Sequence, residues 1–222
     1  MRGTPLAARL RRRAHISVAL AQDTIVSEAY DAFPECVLHG GTAIWRCYGG
    51  GRFSEDIGVY LPVDEAVGSA RFRSGLAAKG MKELEYKTTE NTVFGKYEAG
   101  GVVVSFEAAL RGPPASVVRA YEVLDGTLML VKTLTPDDLL LEKAAAYTSR
   151  RKVRDLYDVF FLLNLVEDGN RVRPAVSRML KSYAEPVDAG QLRATIIAGV
   201  VPSAEAMLEG IERWARRSTS TR

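Results

Sequence analysis

Two stretches decide how this chain reads: Leu38-His39-Gly40-Gly41-Thr42 and, after a short helical span, Ser54-Glu55-Asp56-Ile57-Gly58-Val59. The first reads as a strand, Cys36 to His39, ending in two glycines. Thr42 then stands as the cap of a helix running to about Tyr48, and Gly49-Gly50-Gly51 stops it. A strand that ends in glycines lets backbone N–H groups approach a phosphate, because no Cβ stands in the way. The helix that follows points its positive end at the same place. A carboxylate on the next strand can then hold Mg²⁺ against the phosphate oxygens. Gly-Gly-Thr alone is most often only a turn. Joined to Ser-x-Asp on a following strand, it is far more specific. That strand, Asp56 to Leu61, alternates cleanly: Asp56, Gly58 and Tyr60 fall on one face and Ile57, Val59 and Leu61 on the other.

Working outward, residues 6–32 read as one helix, with Leu6, Leu10, Ile16, Leu20 and Val26 tending to one side. A further helix is expected over 67–79, closed by Gly80. A meander follows over 84–89, 92–98 and 102–108, turning at Gly100-Gly101. Arg111-Gly112-Pro113-Pro114 marks a boundary. From Thr135 the chain turns strongly helical: Thr135 is an N-cap, Pro136 takes the first helical position, and Asp137 and Asp138 sit in the first turn. Helices are expected over 135–149, 153–165, 172–183 and 203–216. The fold class is therefore α+β, a mixed sheet with helices over residues 1–114 followed by a mainly helical part over 115–222.

The chain has 222 residues, 47% hydrophobic and 26% charged, which excludes a disordered, collagen-like or disulfide-stapled protein. The net charge of +3 is too small to announce a nucleic-acid partner, but its placement is uneven. Residues 1–13 carry five Arg and no acid, and residues 211–222 carry four Arg against one Glu. Residues 14–210 hold 21 basic and 26 acidic groups, a net of −5. Two cysteines, Cys36 and Cys47, outside any C-x-x-C pair, fit a reducing compartment and read as small core hydrophobes. The apolar run from Ala194 to Val201 is interrupted by Thr195 and is far too short to span a membrane. Arg11–Arg13 followed by Ile16–Ala21 imitates a signal peptide, but its apolar part is about six residues and the helical pattern continues past it. The expected location is cytoplasmic.

The ordered motifs resemble the AbiEii nucleotidyltransferase toxin family, which includes the MenT toxins, within the superfamily with the DNA polymerase β-like fold. The resemblance rests on Gly40-Gly41-Thr42, Arg52-Phe53-Ser54-Glu55-Asp56-Ile57, Glu142-Lys143 and Arg154-Asp155-Leu156-Tyr157-Asp158, in the family's order across about residues 35–165. It implies a Mg²⁺-dependent nucleotidyltransferase, the toxin of a toxin–antitoxin or abortive-infection system. Nucleotides would pass from an NTP to an RNA acceptor, a tRNA 3′ end, and a cognate antitoxin would be the protein partner. It assigns Gly40, Gly41, Thr42, Ser54 and Lys143 to the nucleotide, Asp56 and Glu107 to metal, and Asp56, Lys143 and Asp155 to catalysis. In the resembling toxins the serine matching Ser54 is also where an antitoxin kinase phosphorylates.

One position departs from the family pattern. Gly58 stands where the family has a second strand aspartate, removing a ligand and a unit of negative charge. Glu107 shares a strand face with Val103 and Ser105, and reads either as a replacement carboxylate or as a solvated strand-end acid. The chain is accordingly expected to be an enzyme working with a reduced metal site; the alternative is a degenerate module that binds a nucleotide or a partner. Lys143, in Leu141-Glu142-Lys143-Ala144-Ala145-Ala146, reads by itself as an ordinary exposed helix lysine. Asp155 and Asp158, at i and i+3, share a helix side and suit pairing with Arg151 or Arg154. By resemblance Asp158 orients neighbouring basic groups. The basic run Arg150, Arg151, Lys152, Arg154 reads equally as a solvated helix connection or as a place for an RNA backbone. His39 reads as a strand-end hydrogen-bonding residue, and Trp45 and Trp214 as packing residues.

Overall fold

The two signature stretches fold as strand–helix and strand in a computed structural model of the chain, which describes residues 4–62, 68–112, 115–197 and 199–217. The order is α1 (Leu6–Arg9), α2 (Arg13–Ala32), β1 (Val37–His39), α3 (Gly40–Tyr48), β2 (Ile57–Leu61), α4 (Ser69–Ala78), β3 (Lys82–Thr88), β4 (Thr92–Ala99), β5 (Val102–Leu110), β6 (Ser116–Glu122) and β7 (Leu128–Leu134). Then follow α5 (Pro136–Arg150), α6 (Val153–Leu162), α7 (Gly169–Lys181), α8 (Leu192–Thr195) and α9 (Ala204–Arg216). The chain divides into two compact units, Met1–Gly49 with Phe53–Leu134, and Gly50–Arg52 with Thr135–Arg222. The expected α+β class holds. Among the described residues no helix is long and apolar enough to cross a membrane.

The first unit is built on a mixed seven-stranded sheet in the order β3-β4-β5-β2-β1-β7-β6. β2 runs antiparallel to β1 and parallel to β5, while β1 runs parallel to β7. One face of β2 and β5 (Ile57, Val59, Leu61, Val104, Phe106, Ala108) is buried, as the alternation requires. Phe72 of α4 packs its ring on Phe106 at 4.7 Å and on Phe33 at 5.7 Å, and Ile25 and Ala29 of α2 are fully buried. The opposite face carries the polar positions Ser105 and Glu107, the small Gly58 and the buried Tyr60.

Two expectations are corrected here. The helix over 6–32 breaks into α1 and α2, with Leu10 and Arg12 in extended backbone. The first turn is tied elsewhere: the Ala7 N–H donates to the Leu124 carbonyl at 2.9 Å, and Arg9 pairs with Glu122. The division at 114/115 also falls 20 residues early, since β6 and β7 belong to the sheet through the Leu38–Thr133 pairing and the units divide after Leu134. Pro113 and Pro114, read as the boundary, and Val67, read as a helix start, lie outside the described residues.

The second unit is helical. The Asp138 N–H donates to Thr135 Oγ1 at 3.1 Å, which caps α5. Buried Asp137 accepts the N–H groups of Glu167 and Asp168, both at 2.9 Å, fixing the turn before α7. Asp168 and Ser203 cap α7 and α9 in the same way. Arg151 ends α5 in the left-handed conformation (φ 49°), a sharp turn that sets α6 directly against α5.

Candidate functional site

In the sheet unit, the residues of the two signature stretches converge at the end of β1 and the start of β2. Gly40 has φ +72°, a conformation that favours glycine, and α3 begins at once after His39. Thr42 is not the cap that the sequence suggests. Its hydroxyl donates instead to the carbonyl of Asp56 at 2.6 Å, and no side chain caps α3, unlike α5, α7 and α9. The start of α3 thus has no side-chain cap, as is also true of α2, α4 and α6, and a helix start of this kind suits an anion.

The chain that delivers Asp56 is held at every residue. Phe53 is buried between His15 (4.1 Å, stacked) and Trp45 (4.5 Å). The amide of Gln22, fully buried in α2, donates to the carbonyls of Ser54 at 2.8 Å and Glu55 at 3.0 Å. Thr42 then takes the carbonyl of Asp56. The backbone is fixed while the Asp56 side chain remains exposed, which is what a ligand-binding carboxylate needs.

Gly58 lies opposite His39 on β1 and opposite Glu107 on β5, so the three form one row across the sheet. The His39 imidazole stacks on Tyr60 at 4.2 Å and lies over Gly58: a Cβ on residue 58 would meet His39 Nε2 at 3.1 Å. The position of the absent carboxylate is thus covered by a ring. Asp56 and Glu107 are both exposed; Asp56 immediately precedes β2, and Glu107 lies on β5 opposite Gly58. Among the described residues no three or more His, Cys, Asp or Glu side chains converge as a ready-made metal site. Mg²⁺ is commonly held by one or two carboxylates, its shell completed by substrate phosphates and water. Hard carboxylate oxygens are also the donors Mg²⁺ prefers.

The helical unit assembles a different cluster. Lys143 is not exposed; it is 7% accessible and its Nζ lies 2.8 Å from Asp158 Oδ2 and 3.4 Å from Asp155 Oδ1. The two aspartates do not pair with Arg151 or Arg154. Asp155, fully buried, receives Arg150 Nε at 2.7 Å and a second guanidinium nitrogen at 2.8 Å. Asp158 receives a matching two-pronged contact from buried Arg52, at 2.9 and 2.8 Å. Burial works to raise the Asp158 carboxyl, but Arg52 and Lys143 override it and hold the group below the ordinary carboxylate range. Asp158 thus contacts both Arg52 and Lys143. Of the basic run, Arg150 is committed to Asp155, while Arg151 and Arg154 are exposed.

The sequence profile of the nucleotidyl transferase AbiEii toxins of type IV toxin–antitoxin systems matches residues 25–218. The chain belongs to the AbiEii family. Among solved structures, the AbiEii chain is similar to JHP933 from Helicobacter pylori at 19% identity, with a TM-score of 0.61 and 88% of each chain covered. It is also similar to the nucleotidyltransferase toxin MenT4 of Mycobacterium tuberculosis H37Rv at 20% identity, with a TM-score of 0.59, covering 89% of this chain and 86% of that one. These likenesses establish the shared fold. No curated protein sequence matches the chain. Membership makes it a nucleotidyltransferase toxin and implies an antitoxin partner and nucleotide substrates.

Three residues of this AbiEii chain have partners that no local sequence signal marks. Gln22 is one polar position on an amphipathic helix, and its partners are more than 30 residues away. His39 covers Gly58 only because β1 and β2 pair in one register. Arg52 was visible within the motif, but its carboxylate partner is 106 residues distant. Trp45 is buried, as expected, and Arg173 lies 4.9 Å over the Trp214 ring. Cys36 is buried, and burial pushes the Cys47 thiol up to about 12, so neither suits nucleophilic chemistry.

Proposed function

We propose that this AbiEii toxin transfers a nucleotide from a nucleoside triphosphate to an RNA acceptor, a tRNA 3′ end, in a Mg²⁺-dependent reaction in the cytoplasm. The observation that carries the reading is the junction of Thr42 with Asp56. There an exposed carboxylate is pinned beside a glycine-opened helix start whose amides no side chain caps. The amides of Gly40, Gly41 and Thr42 bind phosphate oxygens, and the Ser54 hydroxyl adds a neutral donor. Asp56 and Glu107 would hold Mg²⁺, which supplies charge neutralisation at the transferring phosphate. Within the helical unit Lys143 offers positive charge to a polyphosphate, and Asp155 aligns Lys143 and Arg150. Arg151 and Arg154, both exposed, suit an RNA backbone, which is positioned by phosphate contacts without being read. The acceptor hydroxyl oxygen bonds to the α-phosphorus as the bond to pyrophosphate breaks and the hydroxyl proton passes to water, so the catalytic work is positioning and electrostatics.

The His39 ring over Gly58 favours one second reading, a degenerate module that binds nucleotide without turnover. It predicts nucleotide affinity that hardly depends on Mg²⁺. Incubating the purified protein with each α-labelled triphosphate, Mg²⁺ and total RNA separates the two. Label transfer that is lost in Asp56→Ala supports the enzyme; no transfer under any condition, or equal transfer by Asp56→Ala, overturns it.

A further inference from the structure

The helical cluster contains five charged groups in mutual contact: Arg52, Lys143 and Arg150 against Asp155 and Asp158. Each aspartate already has a guanidinium of its own in two-pronged geometry, the strongest form of this contact. Lys143 is therefore a third cation facing two neutralised carboxylates, and the cluster carries a net charge of +1. Asp155, Asp158, Arg52 and Lys143 are all buried. An uncompensated charge with so little access to water is costly unless a counter-ion meets it. The cluster reaches the surface at two points, the rim of Lys143 and the half-exposed Arg150.

We propose that Arg52 is a positioning residue for the anion site: by neutralising Asp158 it leaves the Lys143 charge uncompensated and available to a polyphosphate. Arg52 is well placed to be reliable in this. Its backbone pairs as a bridge with Ile196, and the Ile197 N–H donates to the carbonyl of the preceding Gly51 at 2.9 Å. Burial disfavours its charge, but Asp158 raises its pKa above the usual arginine value, so the guanidinium stays charged. Without Arg52, Lys143 would be the sole partner of Asp158 and its charge would be spent inside the cluster. The identity of the ligand as the triphosphate of a nucleotide rests on the nucleotidyl-transfer reading; the charge count does not.

The count gives an ordered series. Arg52→Met leaves a net charge of zero, Asp158→Asn raises it to +2, and the double variant returns it to +1. The measurement is calorimetric binding of inorganic tripolyphosphate without Mg²⁺, with the melting temperature of each variant and, where transfer is seen, the split between KM for NTP and kcat. Arg52→Met is expected to weaken binding by about tenfold or more, as for the loss of one charged contact. Asp158→Asn is expected to bind at least as tightly as the parent, and the double variant to return within about threefold of it. In the transfer assay the loss in Arg52→Met should fall on KM. A scaffolding role for Arg52 predicts the opposite, with every variant weakened and the double variant no better than the single. That outcome, or no binding by the parent, overturns the proposal. If Arg52→Met does not fold, Asp158→Asn and the charge-keeping Arg52→Lys decide: weakened binding in both overturns it, and parental or tighter binding in both sustains it. A protein that follows the charge order yet transfers no label would sink the nucleotidyl-transfer reading and leave this one standing.

Discussion

Asp56 and Glu107 on the sheet, and Asp155 and Asp158 on α6, are the same chemical group in opposite surroundings. The sheet pair is exposed, and no cation contacts either carboxylate among the described ion pairs. Its order comes from the backbone: Gln22 and Thr42 hold the carbonyls while the carboxylates stay open. The α6 pair is buried, and its order comes from the charges themselves, two arginines and a lysine at 2.7–3.4 Å. A carboxylate kept for a ligand costs the fold little; one kept inside an ion cluster becomes part of the fold. The two pairs should therefore answer the same mutation differently.

The largest contrast is expected between Asp155→Ala and Asp56→Ala. Removing Asp155 strips Arg150 of its partner and Lys143 of one of two, and breaking a buried ion pair on one side costs about 3–5 kcal/mol. For a chain of this size that is a fall of roughly 6–20 °C in melting temperature. Asp56→Ala should leave the melting temperature within about 2 °C, since exposed substitutions rarely exceed ±0.5 kcal/mol. Its transfer activity should fall by roughly 10²–10³-fold or more, the scale of losing a principal electrostatic contributor. Scanning calorimetry beside a label-transfer assay checks both. If Asp155→Ala melted like the parent, the cluster would not be the structural element described.

That contrast also marks what the sequence could reveal. Helix caps and glycine stops are local signals, and they place Thr135 and Gly49 correctly, while α3 begins at Gly40 rather than after Thr42 and β2 begins one residue after Asp56. The hairpin of β6 and β7 was missed because its anchor is Leu38, some 95 residues earlier, and sheet pairing leaves no local trace. Lys143 was misread as exposed for the same reason. Its neighbours Ala144–Ala146 suggest access, while its true partners come from α6 and from Arg52. The motif identified the charged residues but not the pairing among them.

Acid should separate the two regions next. The Asp158 carboxyl is held below the ordinary range in the folded state, so the folded protein binds its proton less readily than the unfolded chain. The stability this contributes is fully present above the unfolded value near 4 and is lost as pH falls through the folded one. Unfolding followed by circular dichroism should thus show a stability loss below about pH 4 that is shallower in Asp158→Asn. An identical acid profile in the variant would mean that Asp158 does not carry the linkage.

Gly40→Ala tests the sheet region by backbone alone. A left-handed φ of +72° costs a non-glycine residue about 1–2 kcal/mol. The Cβ itself meets nothing within 4 Å, so strain rather than collision is the whole effect on stability. The expected melting temperature falls by about 2–8 °C. Nucleotide affinity should fall too, because the amides at the start of α3 shift with the turn. Unchanged affinity would detach the glycine turn from the phosphate.

The smallest effect, and the sharpest question, lies at Gly58. Restoring an aspartate there would not simply complete a metal site, because its Cβ would come within 3.1 Å of His39 Nε2 and the ring must give by a few tenths of an ångström. Gly58→Asp alone is expected to cost about 1 kcal/mol. The pair His39→Ala with Gly58→Asp should recover most of that, since the collision is gone. For activity, a site already working with Asp56 and Glu107 should change by less than about tenfold in Gly58→Asp, the range of a modest adjustment rather than a gained catalytic group. A rise of a hundredfold or more from a silent parent would reverse the picture: the sheet region would then be the degenerate half, and its exposed carboxylates would be remnants rather than ligands. Comparing single and double variants separates the steric term from the electrostatic one, because only the double variant supplies the charge without the clash.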